Sequence, residues 1–170
     1  MKRFFSLVVL TFFATAARAD LPTVDLSADA ARQSIVAAGT PETYQGHPTT
    51  VLLPDGRTMY AVWTTNHGGP CGPMKRSDDA GRTWSELLPV PENWNTVRNC
   101  PAIYRLADPS GTPRLVVFAG QGPDGLMHSS VSTDDGRTWS PMKSVGLKCV
   151  MPFCTIMPID GGKQLLGLTN

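Results

Sequence analysis

The sequence predicts an all-β fold built from repeated four-stranded antiparallel units. Two observations carry that prediction. The first is an eight-residue pattern, SxDxGxTW, that occurs twice. It runs from Ser77 to Trp84 and again from Ser132 to Trp139, 55 residues apart. The second is a proline-led apolar hairpin that recurs at the same phase, starting at Pro48, Pro101 and Pro152, with spacings of 53 and 51 residues. Composition agrees: 16 glycines and 15 prolines among 170 residues favour short strands and many turns.

The chain opens on an expected export signal. Lys2 and Arg3 precede the apolar run Phe4 to Phe13, and Ala17-Arg18-Ala19 offers small residues where a signal peptidase reads. Residues 1–19 are therefore expected to be removed, with export to a periplasmic or extracellular space. A retained anchor is the alternative, but the run is short of the about 20 residues a span needs. No later segment is long and apolar enough, so no membrane span is expected after signal removal. Residues 20–42 form an N-terminal segment, in which Arg32 to Ala37 is a candidate strand for closing a ring.

The first unit, residues 43–90, begins with Val51-Leu52-Leu53, turns at Pro54-Asp55-Gly56 and returns as Met59 to Trp63. The second, residues 91–145, starts at Pro101, turns around Asp108 to Gly111 and returns as Leu115 to Phe118. The third, residues 146–170, starts near Pro152, turns at Asp160-Gly161-Gly162 and returns as Leu165 to Leu168. Each reads as a hairpin, a loop, a third strand ending in the SxDxGxTW turn, and a short fourth strand. Units of about 50 residues with four strands fit propeller blades. About two and a half such blades are present.

Net charge is +1, with 15 basic and 14 acidic residues, which argues against a nucleic-acid partner. Export would allow disulfides. Cys71, Cys100, Cys149 and Cys154 allow three pairings. Cys71 with Cys100 is slightly favoured, since both fall in loops at one end of the blades; free buried thiols are the alternative. A zinc site from His67, Cys71 and Cys100 lacks the usual tight spacing. No metal and no cofactor is expected.

The two SxDxGxTW copies resemble the Asp-box of the bacterial sialidase (neuraminidase) superfamily, also called the BNR repeat. The resemblance covers roughly Thr43 to Asn170. It implies a six-bladed propeller when complete, and hence that this chain is an N-terminal fragment. An open arc exposes strand edges and apolar faces, so association or inactivity of the isolated chain is expected. In the boxes, Ser77, Asp79, Gly81, Thr83 and Trp84, with Ser132, Asp134, Gly136, Thr138 and Trp139, are expected to be structural. The carboxylates should accept amides of their own turn, the glycines should take a positive φ, and Trp84 and Trp139 should be buried at equivalent positions.

Strand order puts candidate site loops at the end opposite the boxes. They are residues 44–47, 65–73, 93–100, 120–125 and 146–151. His67 is the candidate catalytic acid/base. His47, Arg98, Asn99, Gln121 and Asp124 are candidate substrate-binding residues, with Gln45, Asn66 and Lys148 beside them. Arg98 suits bidentate carboxylate recognition, and Gly68-Gly69 allow close backbone approach next to His67.

The resemblance also implies three arginines for the sialic acid carboxylate, a Tyr-Glu nucleophile pair and an Asp acid/base. The family's first arginine sits in Tyr-Arg-Ile-Pro, where this chain has Gln45-Gly46-His47-Pro48. The family's acid/base Asp lies before the first box, where residues 64–76 hold no Asp or Glu. The expected function is an exo-glycosidase for terminal acidic sugars of glycans, divergent in its catalytic residues. The alternatives are a non-catalytic carbohydrate-binding propeller and an inactive truncated fragment.

Overall fold

The computed structural model describes residues 22–169. Residues 1–21, which hold the expected export signal, and Asn170 lie outside the described residues. The described chain is all-β, and its sheets are antiparallel. Strands β1 (Gln45–Leu52), β2 (Met59–Thr65) and β3 (Cys71–Ser77) form a first sheet in chain order. Strands β4 (Ala102–Ala107), β5 (Pro113–Ala119), β6 (Leu126–Ser132) and β7 (Lys143–Lys148) form a second, also in chain order. A hairpin of β8 (Thr155–Ile159) and β9 (Gln164–Leu168) follows. The rest is loop and three short 3-10 turns. No helix among the described residues is long and apolar enough to cross a membrane.

The first sheet differs from the four strands expected. Residues 85–88 run beside β3, with Ser85 N–H donating to Arg76 O and Leu88 N–H to Met74 O, but they form no regular strand. Pro89 and Pro91 have no N–H to continue the ladder. The candidate closing strand Arg32 to Ala37 pairs with no described strand. Ala30–Arg32 is a 3-10 turn and the residues after it are irregular. The segment touches the first unit through a few side chains. Ser34 Oγ donates to Gly81 O, Trp84 Nε1 donates to Ser34 Oγ at 3.3 Å, and Gln45 Nε2 donates to Ala38 O at 3.1 Å.

Both Asp-box turns fold through the same hydrogen bonds. Asp79 Oδ1 accepts Thr83 N–H at 2.8 Å and Asp134 Oδ1 accepts Thr138 N–H at 2.9 Å. The threonine hydroxyls donate to the other carboxylate oxygens at 2.7 and 2.6 Å. Ser77 and Ser132 hydroxyls each accept a glycine amide at 2.8 Å, from Gly81 and Gly136. Those glycines have φ of +86° and +88°. Hydrogen bonds from the Thr83 amide and hydroxyl and from Ser77 hold the Asp79 carboxyl down at about 2. The Thr138 hydroxyl and amide, with Ser132, do the same for Asp134, also to about 2.

A carboxyl held below its unfolded value of about 3.9 stabilises the fold fully above that value and loses its contribution as pH falls toward its folded value. The urea midpoint should therefore fall between about pH 4 and pH 2. The double variant Asp79→Asn, Asp134→Asn should show a shallower fall over that window. Equal slopes for the two proteins would remove the boxes as the cause.

The core lies between the two sheets. Tyr60, Val62, Cys71 and Met74 of the first meet Ile103, Leu115, Val117 and Ala119 of the second, around Trp94 and Val97. Thr49 Oγ1 stitches the sheets by donating to Pro101 O and accepting Ile103 N–H. Tyr60 Oη crosses to the second Asp-box turn, donating to Asp135 O at 2.8 Å. The third hairpin is tied in by Tyr104 Oη donating to Phe153 O and by an edge-on Phe118–Phe153 contact at 5.1 Å. Met157, Ile159, Leu165, Leu166 and Leu168 of that hairpin are exposed.

Trp84 and Trp139 are both half-buried, and their surroundings differ. Trp139 packs on the inter-sheet core and meets Trp94 edge-on at 5.5 Å. Trp84 stands outside that cluster and takes its hydrogen bond from the N-terminal segment. The shared box phase is real, but each tryptophan faces whatever precedes its own sheet. For Trp139 that is a sheet; for Trp84 it is an irregular segment.

Candidate functional site

β1 starts, β2 ends and β3 starts at one end of the first sheet; the Asp-box follows the far end of β3. The second sheet repeats the pattern with β4, β5 and β6. The loops at the end away from the boxes are stitched by backbone. Cys71 N–H donates to Val97 O, Pro70 bridges Arg98, Arg98 N–H donates to Gly120 O, and Gly120 N–H donates to Asn99 O. Arg98 is thus fixed between the 66–70 loop and the turn after β5.

Left-handed backbone concentrates here. His47, Asn66, Asn99, Cys100 and Gln121 all have φ between +40° and +61°. Such non-glycine conformations cost of order 1–3 kcal/mol each and persist where surroundings over-determine them. His47 sits in a bulge of the β1–β2 ladder, where Pro48 has no amide to give. Asn66 is held by Tyr44, whose N–H donates to Asn66 Oδ1 at 2.9 Å. Asn99 Nδ2 donates to Gln121 Oε1 at 2.9 Å and to Val150 O at 3.2 Å, joining three loops. Gly68 and Gly69 are required by close approach. A Cβ at Gly69 would lie 1.7 Å from Thr65 O, and one at Gly68 2.6 Å from Asn99 Oδ1.

Three of the candidate residues, Arg98, Gln121 and His47, line two cavities. Arg98 and Gln121 line the larger, about 640 Å³, with Thr96 and Lys148. Two basic side chains face it and no carboxylate lines it. Among the described residues no salt bridge uses Arg98 or Lys148. His47 lines a smaller neighbouring cavity. Its Nε2 lies 3.1 Å from His67 Nδ1, with ring centroids 4.8 Å apart. One nitrogen donates and the other accepts, and the tautomers decide which does which. Asn99 lies between the two groups.

Asp124 does not join them. Its Oδ1 accepts Leu126 N–H at 3.0 Å and lies 3.7 Å from His128 Nδ1. That backbone bond, first among its causes, lowers the Asp124 pKa. His128, on β6 and buried, was not among the sequence candidates, which were taken from loops alone. Strand alternation puts it on the same face as the buried Ser130 and Ser132, and that pattern is its only sequence signal. Gly122 makes room for it, since a Cβ there would fall 2.0 Å from the ring.

The favoured Cys71–Cys100 pairing is also corrected: all four cysteines are free. Cys71 points into the inter-sheet core, and burial pushes its thiol far up. Cys100 instead meets Met151, Sγ to Sδ 3.4 Å.

No family model matches the chain, and no curated protein matches it. The likeness to sialidases rests on the residues quoted for it.

Proposed function

We propose that the chain is part of an exported sialidase-like β-propeller, its sheets being successive blades, and that its loop face recognises the acidic terminal sugar of a glycan. One observation carries the reading: Arg98 and Lys148 share a cavity whose walls hold no carboxylate. A guanidinium can grip a sugar carboxylate bidentately, and an ammonium beside it adds charge. Gln121 and Thr96 supply neutral hydrogen-bonding groups for hydroxyls.

Binding is the stronger form of the reading. Glycoside cleavage takes an acid/base and a second group for the nucleophile or water. The His47–His67 pair favours a second form, in which the function is hydrolysis and His67 is the acid/base.

Calorimetric titration with sialic acid and with a neutral hexose tests the first form. The acid is expected to bind and the neutral sugar to bind at least tenfold more weakly. Arg98→Ala should weaken acid binding by roughly 10- to 100-fold, the worth of a hydrogen bond between charged groups. Equal affinity for both sugars, or an unaffected Arg98→Ala variant, would sink the proposal. Turnover of a fluorogenic sialoside that disappears in His67→Ala would establish the second form.

A further inference from the structure

The larger cavity has a polarity that its wall residues alone do not set. Gln121 could offer it either end of an amide, an acceptor oxygen or a donor nitrogen. The choice is made by Asn99, which stands behind the wall and does not line the cavity. Asn99 Nδ2 lies 3.2 Å from Val150 O, a carbonyl that can only accept, so the atom there has to be the amide nitrogen. The same nitrogen lies 2.9 Å from the Gln121 amide, and its N–H needs an oxygen, so Oε1 is the end turned to Asn99. Gln121 Nε2 remains, with two N–H donors and no hydrogen-bond partner among the described residues.

Turning the Asn99 amide over would set its Oδ1 against the Val150 carbonyl, oxygen to oxygen. Oδ1 is also packed at Gly68, where a Cβ would fall 2.6 Å from it. The residue itself is held in a left-handed conformation, φ +60°. Thr96 is set the opposite way: its hydroxyl donates to Asn93 O at 2.8 Å, which leaves its oxygen to accept.

We propose that Asn99 is a positioning residue that locks Gln121 as a donor, and that the cavity thereby selects sugars bearing an oxyanion, carboxylate or sulfate, over neutral ones. Arg98 and Lys148 supply charge, and the Asn99–Gln121 relay adds selection at a neutral group. This inference rests on the acidic-sugar reading and deepens it.

The test is calorimetric titration of the full chain with sialic acid, a hexose sulfate and a neutral hexose. Gln121→Ala should weaken binding of the preferred anion by about tenfold, the worth of one hydrogen bond to a charged group, and leave the neutral hexose nearly unchanged. Asn99→Asp keeps shape and tolerates the left-handed backbone. Its carboxylate can only accept, so Gln121 turns Nε2 to it and Oε1 to the ligand. In that background Gln121→Ala should no longer weaken anion binding, and should strengthen it. The added charge is present in both proteins of that comparison and cancels. Asn99→Gly suits the same φ and frees the Gln121 amide, so Gln121→Ala should there cost less than about threefold. A urea melt reports separately on any structural part of Asn99. Gln121→Ala losses that are equal in the parent, Asn99→Asp and Asn99→Gly backgrounds overturn the relay while leaving the acidic-sugar reading in place. Equal binding of all three sugars by the parent overturns that reading and the relay with it. The anion that binds more tightly identifies the source of the oxyanion.

Discussion

Trp94→Ala is expected to lower stability by about 3–5 kcal/mol, the range for emptying a buried aromatic site. Trp94 lies in the 3-10 turn Glu92–Thr96 and has no exposed surface. It meets Trp139 edge-on, and its indole N–H points at Ser140 O, 3.4 Å away. The turn is tied to the second sheet by its neighbour Asn93, whose side chain donates to Met142 O and accepts Met142 N–H. Losing the ring therefore opens a cavity between both sheets and the segment that joins them. Trp84→Ala should cost less, because Trp84 is half-buried against an irregular segment. Urea denaturation of both variants reads the comparison. A smaller loss for Trp94→Ala than for Trp84→Ala would mean that the inter-sheet core is not where the stability resides.

The second large effect is an asymmetry between two glycines that occupy the same place in the repeat. Gly136→Ala should destabilise by about 2–5 kcal/mol, combining an overpacked contact with a left-handed alanine. Its φ is +88°, and a Cβ there would lie 2.4 Å from the Tyr60 ring. That ring is fully buried and fixed by its bond to Asp135 O, so it has nowhere to move. Gly81→Ala should cost about 1–2 kcal/mol, the backbone component alone. Its φ is +86°, but its nearest neighbour would be Met59 Sδ at 3.2 Å, a flexible side chain that can give way. Equal losses would show that the box turn of the second sheet does not dock on Tyr60 as described.

The box geometry was legible because it is local. Every bond within it joins residues at most four positions apart, so residue type and spacing settle it. The same holds for the hairpin turns, where Asp55 accepts the Arg57 and Thr58 amides and Asp108 those of Ser110 and Thr112. Asp124 marks the limit of that legibility. Its loop was placed at the correct end, but the direction of its carboxylate depends on the Leu126 amide. His128 was missed because it sits on a strand, and only packing under Gly122 distinguishes it from a solvated residue.

The sequence alone determined the all-β class, the phase of the hairpins and the turn that ends each third strand, since apolar periodicity and turn chemistry act within a few residues. Tertiary structure decided what meets across the loops. The His47–His67 pair spans 20 positions, Asn99 and Gln121 span 22, and Asn99 reaches Val150 across 51. It also decided that Cys71 lies in the core while Cys100 meets Met151, and that Ser34 docks against the Gly81–Trp84 turn. These outcomes depend on how two twisted sheets pack and on which face each strand turns inward, a choice made by the sum of many distant contacts and not by any one stretch of chain.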